Sequence, residues 1–273
     1  MLQIHPDYQH LRDYIQQLPQ TFNSQGKTLF HKRNHVKRMQ APDGTILIVK
    51  RYKRPNLLQR IAYTCVRPTK ARRAYEYALR FRQLGVDTPQ PVAYIEQKQG
   101  PLFADGYYIS LENQHHTCAV LRDRTYHAYA QLMPAFTQFI LQLHQKGILH
   151  GDTNLSNFFY QETDPELHTY HFSAIDLNRT KFVQNPTRKQ CLDNLVRITH
   201  NDLVLLDIVA SYAQQRQWNE GDATEYVMKR LRKFEKRKKL LHQLTHHQEP
   251  AKKEENQTEH HHHHHHDTTT HAH

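Results

Sequence analysis

The feature that most constrains this chain is a buried helix that hands over to a polar loop. Leu132, Phe136, Phe139, Ile140 and Leu143 recur at three- and four-residue spacing within residues 125–146, so this stretch predicts an amphipathic helix with one apolar face. Gly147 closes it, Ile148-Leu149 make a short apolar step, and His150-Gly151-Asp152-Thr153-Asn154-Leu155-Ser156-Asn157 follows. Gly151 permits a backbone angle or a close approach that a side chain would forbid. Downstream, Phe158-Phe159-Tyr160 and Tyr170 to Ile175 read as two short strands around a polar loop. A hairpin there would bring Asn157 and Asp176 to one rim. A carboxylate (Asp152) five residues before a carboxamide, with a second carboxylate (Asp176) after a short apolar run, suits phosphoryl transfer: one base for an acceptor hydroxyl and two oxygen ligands for magnesium.

The rest of the chain can be read for partners to this set. Residues 1–26 form a leading segment with Leu11, Tyr14, Ile15 and Leu18 at helical spacing. From Lys27 the pattern turns to strands: Thr28 to Phe30, His35 to Met39, and, after the Asp43-Gly44 hairpin turn, Thr45 to Lys50. Lys50 ends a β-branched strand, where an ammonium is either solvated at an edge or functional. Ala71, Ala74, Ala78 and Phe81 mark a helix capped by Thr69 and stopped by Gly85, and Glu76 is its only acid. Glu76 either pairs on the surface with Arg72, Arg73 or Arg80, or reaches Lys50 in the strand-Lys, helix-Glu order of kinase-like lobes. Val92 to Ile95 and Tyr107 to Glu112 are further strands, with Gly100-Pro101 and Asp105-Gly106 as punctuation. A lobe boundary is expected at about 112–116, with Glu112 and its neighbours lining the cleft through backbone groups. The expected domains are therefore 1–26 as leading segment, 27–114 as a β-rich small lobe, 115–244 as a mostly helical large lobe, and 245–273 as a disordered polar tail. Asp222-Ala223-Thr224-Glu225 resembles a capping box for the last helix.

Composition excludes several classes. No run of about 18 apolar residues occurs and the N-terminal stretch is polar, so neither a spanning helix nor a signal peptide is expected, and the protein is expected in the cytoplasm. Cys65, Cys118 and Cys191 are widely spaced without a CxxC pair, which argues for buried thiols and against a disulfide framework or a zinc site. The net charge is +11. From Glu249 onward, Lys252 and Lys253 stand against five acids, a net −3, so the preceding body carries +14. Such a body attracts polyanions: nucleic acid, acidic phospholipid or a phosphorylated glycolipid. The last helix is basic from Lys229 to Lys239, which reads either as a solvated face or as a surface for an anionic membrane or RNA. The run His260 to His266 binds metal in vitro whatever its origin, resembles a purification tag and has no catalytic role.

With these residues placed, the sequence resembles the lipopolysaccharide kinase superfamily, the 3-deoxy-manno-octulosonic acid (Kdo) kinases and core heptose kinases. The resemblance runs from about Arg33 to Tyr212. It rests on Arg33-Asn34-His35-Val36-Lys37, Ile48-Val49-Lys50-Arg51-Tyr52, Arg67 to Glu76, Gly85-Val86-Asp87-Thr88-Pro89, His150-Gly151-Asp152 with Asn157, and Ile175-Asp176-Leu177-Asn178-Arg179. It implies an α+β, bilobal protein-kinase-like fold with an antiparallel small lobe containing one key helix. It also implies ATP and Mg2+, with Lys50 on the ATP phosphates, Glu76 orienting Lys50, Asp152 as base, and Asn157 and Asp176 as metal ligands.

Two departures from protein kinases bear on the acceptor. No glycine-rich nucleotide loop precedes Lys50; the first hairpin offers Lys32-Arg33-Asn34 instead. His150-Gly151-Asp152 lacks the arginine of a regulated His-Arg-Asp loop, and no Ala-Pro-Glu follows. Both favour a glycolipid or small-molecule acceptor, so the expected substrate is a Kdo or heptose hydroxyl of an anionic lipopolysaccharide precursor. The inner-membrane surface would be met by charge, with no specific nucleic acid and a monomeric chain. A RIO-like protein kinase, an aminoglycoside-type phosphotransferase, and a kinase-shaped protein binding anionic lipid or RNA stand as alternatives.

Overall fold

The computed structural model describes residues 1–246; residues 247–273, with the histidine run and nearly all of the expected tail, lie outside them. Contact density divides the chain into one unit of Met1–Met228 and a second beginning at Lys229. In the first unit, the strands β1 (Leu2–Ile4), β2 (Lys27–His31), β3 (His35–Gln40), β4 (Ile46–Arg51), β5 (Pro91–Gln99) and β6 (Leu102–Leu111) form one antiparallel sheet ordered β1-β5-β6-β4-β3-β2. The helices α1 (Arg12–Thr21), α2 (Leu57–Cys65) and α3 (Lys70–Gln83) accompany it.

Alternation along β4 sets the two faces of this sheet. Leu47 and Val49 are fully buried on one face, with Met39, Tyr107 and Ile109. Ile48 and Lys50 point to the other, opposite Ser110 and Tyr108 on β6. The apolar face needs a cover, and the leading segment supplies it: Leu11, Ile15, Leu18 and Phe22 join the same core, while β1 pairs with β5. Residues 1–26 therefore pack on the sheet and share its core. The other face carries α3, with Ala71, Ala74 and Tyr75 packed on Tyr52 and Tyr94.

The turn and cap chemistry largely follows expectation. Thr45 N–H donates to Asp43 Oδ1 at 3.0 Å and Gly44 has φ +90°, while Thr69 Oγ1 accepts from Arg72 N–H at 3.1 Å and Gly85 has φ +78°. Asp105-Gly106 lies inside β6 and makes no turn. A side chain at Gly106 would meet Ala71 at 3.2 Å, so this glycine lets α3 sit close against the strand.

After β6 the chain passes through β7 (His116–Thr117) to α4 (Tyr129–Gln145), β8 (Ile148–Leu149), β9 (Phe158–Asp164), β10 (Thr169–Ala174) and β11 (Lys181–Phe182). The helices α5 (Arg188–Leu195), α6 (Asp202–Arg216) and α7 (Glu220–His246) follow. The apolar stripe of α4 is buried as expected, with Phe136 5.5 Å from Phe158 and Phe139 5.2 Å from Phe172 between ring centroids. β9 and β10 form the expected hairpin, with Phe158 opposite Ala174. The helix α7 opens earlier than Asp222: Asn219 Oδ1 accepts from Asp222 N–H at 2.9 Å. In the second unit, Lys229–His246 continues helical and is rich in Lys and Arg.

Candidate active site

Antiparallel pairing and the β9–β10 hairpin bring residues from distant stretches to one cleft of about 600 Å3 within the first unit. Lys50, Glu112, Asp152, Asn157 and Asp176 all line it. Lys50 Nζ lies 3.3 Å from Asp176 Oδ1 and 4.9 Å from the centre of the Tyr52 ring. Asp176 has φ +59°, a strained left-handed conformation that turns the chain immediately after the β10 strand. The amide of Ile175 donates to Asn157 O at 2.9 Å, which ties the two sides of the rim. Val36, Ile48, Leu111 and Ile175 also line the cleft, together with Ser110, Glu112 and Asn113. Glu112 directs its carboxylate to Arg38 Nε at 3.1 Å.

Glu76 is not part of this set. It is exposed and pairs with Arg72 at 2.8 Å, four residues earlier on α3. The reason is helical phase: the cleft-facing residue of α3 is Ala74, and two residues further on the side chain points about 200° away around the helix. Lys50 is held by Asp176, and the expected Lys50–Glu76 pair is corrected accordingly. Cations gather instead around Lys70, at the start of α3. The Lys70 amine is pushed below its usual range by burial first and then by Arg179, Arg73, Arg33 and Lys50 around it. Arg73 Nε is buried and has no hydrogen-bond partner.

The polar loop is locked from behind by a network that no single stretch of sequence announces. His150 is buried, its Nε2–H donating to Ile175 O at 2.9 Å and its Nδ1 accepting from Asp152 N–H at 3.0 Å. Asn194 Nδ2 donates to His150 O at 2.8 Å, while Asn194 Oδ1 accepts from His144 Nε2–H at 2.8 Å. His144 Nδ1 in turn accepts from the Tyr212 hydroxyl at 2.7 Å. Thr153 Oγ1 donates to Asn194 O at 2.8 Å. Each histidine is thereby fixed as a neutral tautomer, and burial lowers both basicities, that of His144 to about 4.

Gly151 has a specific steric reason. A Cβ there would overlap the Arg179 backbone and Cβ, lying 2.6 Å from the Arg179 carbonyl carbon. The segment after Asp176 thus crosses the place where a side chain at position 151 would stand. Asn157 Nδ2 donates to Asp152 O at 2.9 Å, leaving Oδ1 as the remaining acceptor of that side chain. The donors at the rim are therefore oxygens from two carboxylates and one carboxamide, a hard set of the kind that magnesium takes. Of the three thiols, Cys118 and Cys191 are buried as expected, whereas Cys65 is exposed on α2.

An antiparallel small lobe with a lysine on its third hairpin strand, over a loop carrying Asp152 and Asn157 and a hairpin ending at Asp176, defines a protein-kinase-like phosphotransferase. The model of the lipopolysaccharide kinase (Kdo/WaaP) family matches residues 49–228, and the chain belongs to that family, whose members are kinases. Among solved structures, the chain is similar to WaaP in complex with acyl carrier protein, at a TM-score of 0.58 and 16% identity over 85% of this chain and 98% of that one. It is also similar, at a TM-score of 0.45 and 15% identity over 78% of this chain and 66% of that one, to the Rio2 kinase-ADP/Mg2+-phosphoaspartate complex from Chaetomium thermophilum. No curated protein matches the chain.

Proposed function

We propose that this kinase transfers the terminal phosphoryl group of ATP to a Kdo or heptose hydroxyl of a lipopolysaccharide core precursor, as a monomer at the cytoplasmic face of the inner membrane. The observation that carries the reading is the convergence of Lys50, Asp152, Asn157 and Asp176 on one cleft, with Lys50 Nζ 3.3 Å from Asp176. Asp152 accepts the proton of the acceptor hydroxyl as its oxygen bonds to phosphorus and the bond to ADP breaks. Lys50 meets the ATP phosphates, and the Ser110–Asn113 backbone with its apolar surroundings takes the base. Asn157 and Asp176 would hold magnesium, which supplies charge neutralisation for the transferring phosphoryl group. The cations around Lys70, with the unpartnered Arg73 Nε, suit an acceptor that itself carries phosphate or carboxylate near the reacting hydroxyl.

Asp152→Asn removes the base while keeping shape. Turnover with ATP and lipopolysaccharide core is expected to fall by about 10²–10⁴, with nucleotide binding retained. Unchanged transfer by the variant would remove Asp152 from this role. Mass analysis of lipopolysaccharide from cells lacking the gene would identify the acceptor by the phosphate that is missing.

A further inference from the structure

The helix α2 is turned inside out. Its protein-facing side is polar and aromatic: Arg60 Nε donates to Phe103 O at 2.7 Å, Thr64 Oγ1 accepts from Phe103 N–H at 2.9 Å, and the Tyr63 ring sits 5.8 Å from that of Phe103. Its outward side is apolar. Leu57, Leu58, Ile61 and Cys65 fall within an arc of about 100° on the helix, and Val66 extends the stripe at its end. Leu58 is 80% exposed, Val66 84%, Leu57 59% and Ile61 45%, and no residue of α2 is buried. In water this arrangement costs free energy, because an ordinary surface helix shows its apolar stripe to the core.

The charge around the stripe points to what covers it. Between Arg51 and Tyr75 the sequence carries eight cations (Arg51, Lys53, Arg54, Arg60, Arg67, Lys70, Arg72 and Arg73) and not one acid; Arg54 is paired with Asp105 and Arg72 with Glu76, and Arg60 faces inward. Lys53 and Arg67 are exposed at the two ends of α2. A stripe of large aliphatic side chains with a cationic border matches the interface of an anionic bilayer, where acyl chains take the former and headgroup phosphates the latter. The link Arg51 to Asn56 joins α2 directly to Lys50 and to Tyr52 in the cleft lining. Contact there would set the phosphate end of the cleft beside the headgroup layer.

We propose that α2 is an interfacial membrane helix, which inserts Leu57, Leu58, Ile61 and Val66 into the surface of a bilayer containing anionic phospholipid. Its use rests on the reading above that the acceptor is anchored in such a bilayer; its binding does not. The test uses the full chain and vesicles of phosphatidylcholine, with and without phosphatidylglycerol. Cys65 lies on the stripe and is exposed, whereas Cys118 and Cys191 are buried, so a polarity-sensitive fluorophore can be attached at Cys65 alone. Its emission is expected to shift to the blue on phosphatidylglycerol vesicles. Leu58→Ser with Ile61→Ser is expected to weaken vesicle binding by about a hundredfold while phosphoryl transfer to deacylated, water-soluble core oligosaccharide is unchanged.

An unmoved Cys65 signal on vesicles that do bind the chain would mean that another cationic surface is responsible, and would overturn the assignment. Equal vesicle binding by native chain and variant would overturn it as well. If the variant bound vesicles as the native chain does but no longer co-sedimented with an acidic acyl carrier protein, this face would belong to a protein partner instead. A chain that binds vesicles through α2 but transfers phosphate to neither lipopolysaccharide nor the oligosaccharide would leave the helix assignment standing and sink the acceptor.

Discussion

The two sides of the cleft are held in opposite ways. Beneath it, the His150–Asn157 loop is fastened from behind by buried and half-buried neutral groups whose donors and acceptors are matched one to one, from Tyr212 through His144 and Asn194 to His150 and Ile175. On the other side, Arg33, Lys50, Arg73 and Arg179 gather around Lys70 at the start of α3, and the buried Nε of Arg73 has no protein partner. A satisfied network specifies one geometry before any ligand arrives. An array of like charges does the reverse, since it is stabilised only when an anion joins it. The lower side is thus built for positioning the chemistry and the upper side for capturing an anionic ligand, and substitutions on the two sides should fail differently.

The largest effect on stability is expected where the lower side is tightest. Gly151→Ala sets a methyl group against the Arg179 backbone, and neither segment is free to give way, because His150 and Asp152 are tied by the hydrogen bonds of the buried imidazole. Overpacking of this kind should lower stability by about 3 kcal/mol. Displacement of Asp152 should cut turnover by about a hundredfold. Urea unfolding and single-turnover transfer on the same preparation would check both. A variant with native stability and native rate would show that the contact between position 151 and Arg179 constrains nothing.

A smaller effect concerns protons. Burial holds His144 near a pKa of about 4, whereas in the unfolded chain it takes up a proton near 6.5, so between these values the unfolded state binds more protons than the folded one. Stability is therefore fully present above about pH 6.5 and falls as the solution is acidified, by about 2 kcal/mol at pH 5 from this one group. His150 shifts in the same direction for the same cause and adds to the slope. The variant His144→Gln should start less stable at pH 7.5 and lose less between pH 7.5 and 5. Parallel losses in variant and native chain, followed by urea midpoints, would show that the network is not what acid breaks.

What could be read in advance depended on how local the information is. Asp152, Asn157 and Asp176 sit on one loop and the hairpin that follows it, so spacing along the chain nearly determines spacing in space. The strand of Lys50 is equally legible, because period-two alternation places Leu47 and Val49 on one face and Lys50 on the other. Glu76 was not, since its direction depends on the rotation at which α3 docks, and that is decided by Ala71, Ala74 and Gly106 meeting across elements. The network behind the loop is assembled from α4, α5 and α6, and a buried histidine is indistinguishable in sequence from a solvated one. The outward stripe of α2 was hidden for a related reason: its apolar periodicity is that of a core helix, and only the structure shows that Arg60, Tyr63 and Thr64 hold the inner side.

The smallest effect sharpens the comparison most, because it separates two neighbouring positions on one helix. If the upper side captures an anionic ligand through unpartnered cations, Arg73→Gln should raise the KM for lipopolysaccharide core or for ATP by about tenfold, the loss of one charge-assisted hydrogen bond, and leave kcat within a factor of about two. Glu76→Gln, three residues on, should change neither constant by more than about twofold, since it removes only an exposed pair with Arg72. A protein kinase arrangement demands the opposite ranking, with the helix glutamate holding the lysine and the arginine dispensable. The two variants therefore discriminate directly. If Glu76→Gln lowered kcat strongly while Arg73→Gln did nothing, α3 would have to rotate during turnover to bring Glu76 onto Lys50. The Lys50–Asp176 pair at 3.3 Å would then belong to a resting arrangement of the cleft and not to the working one.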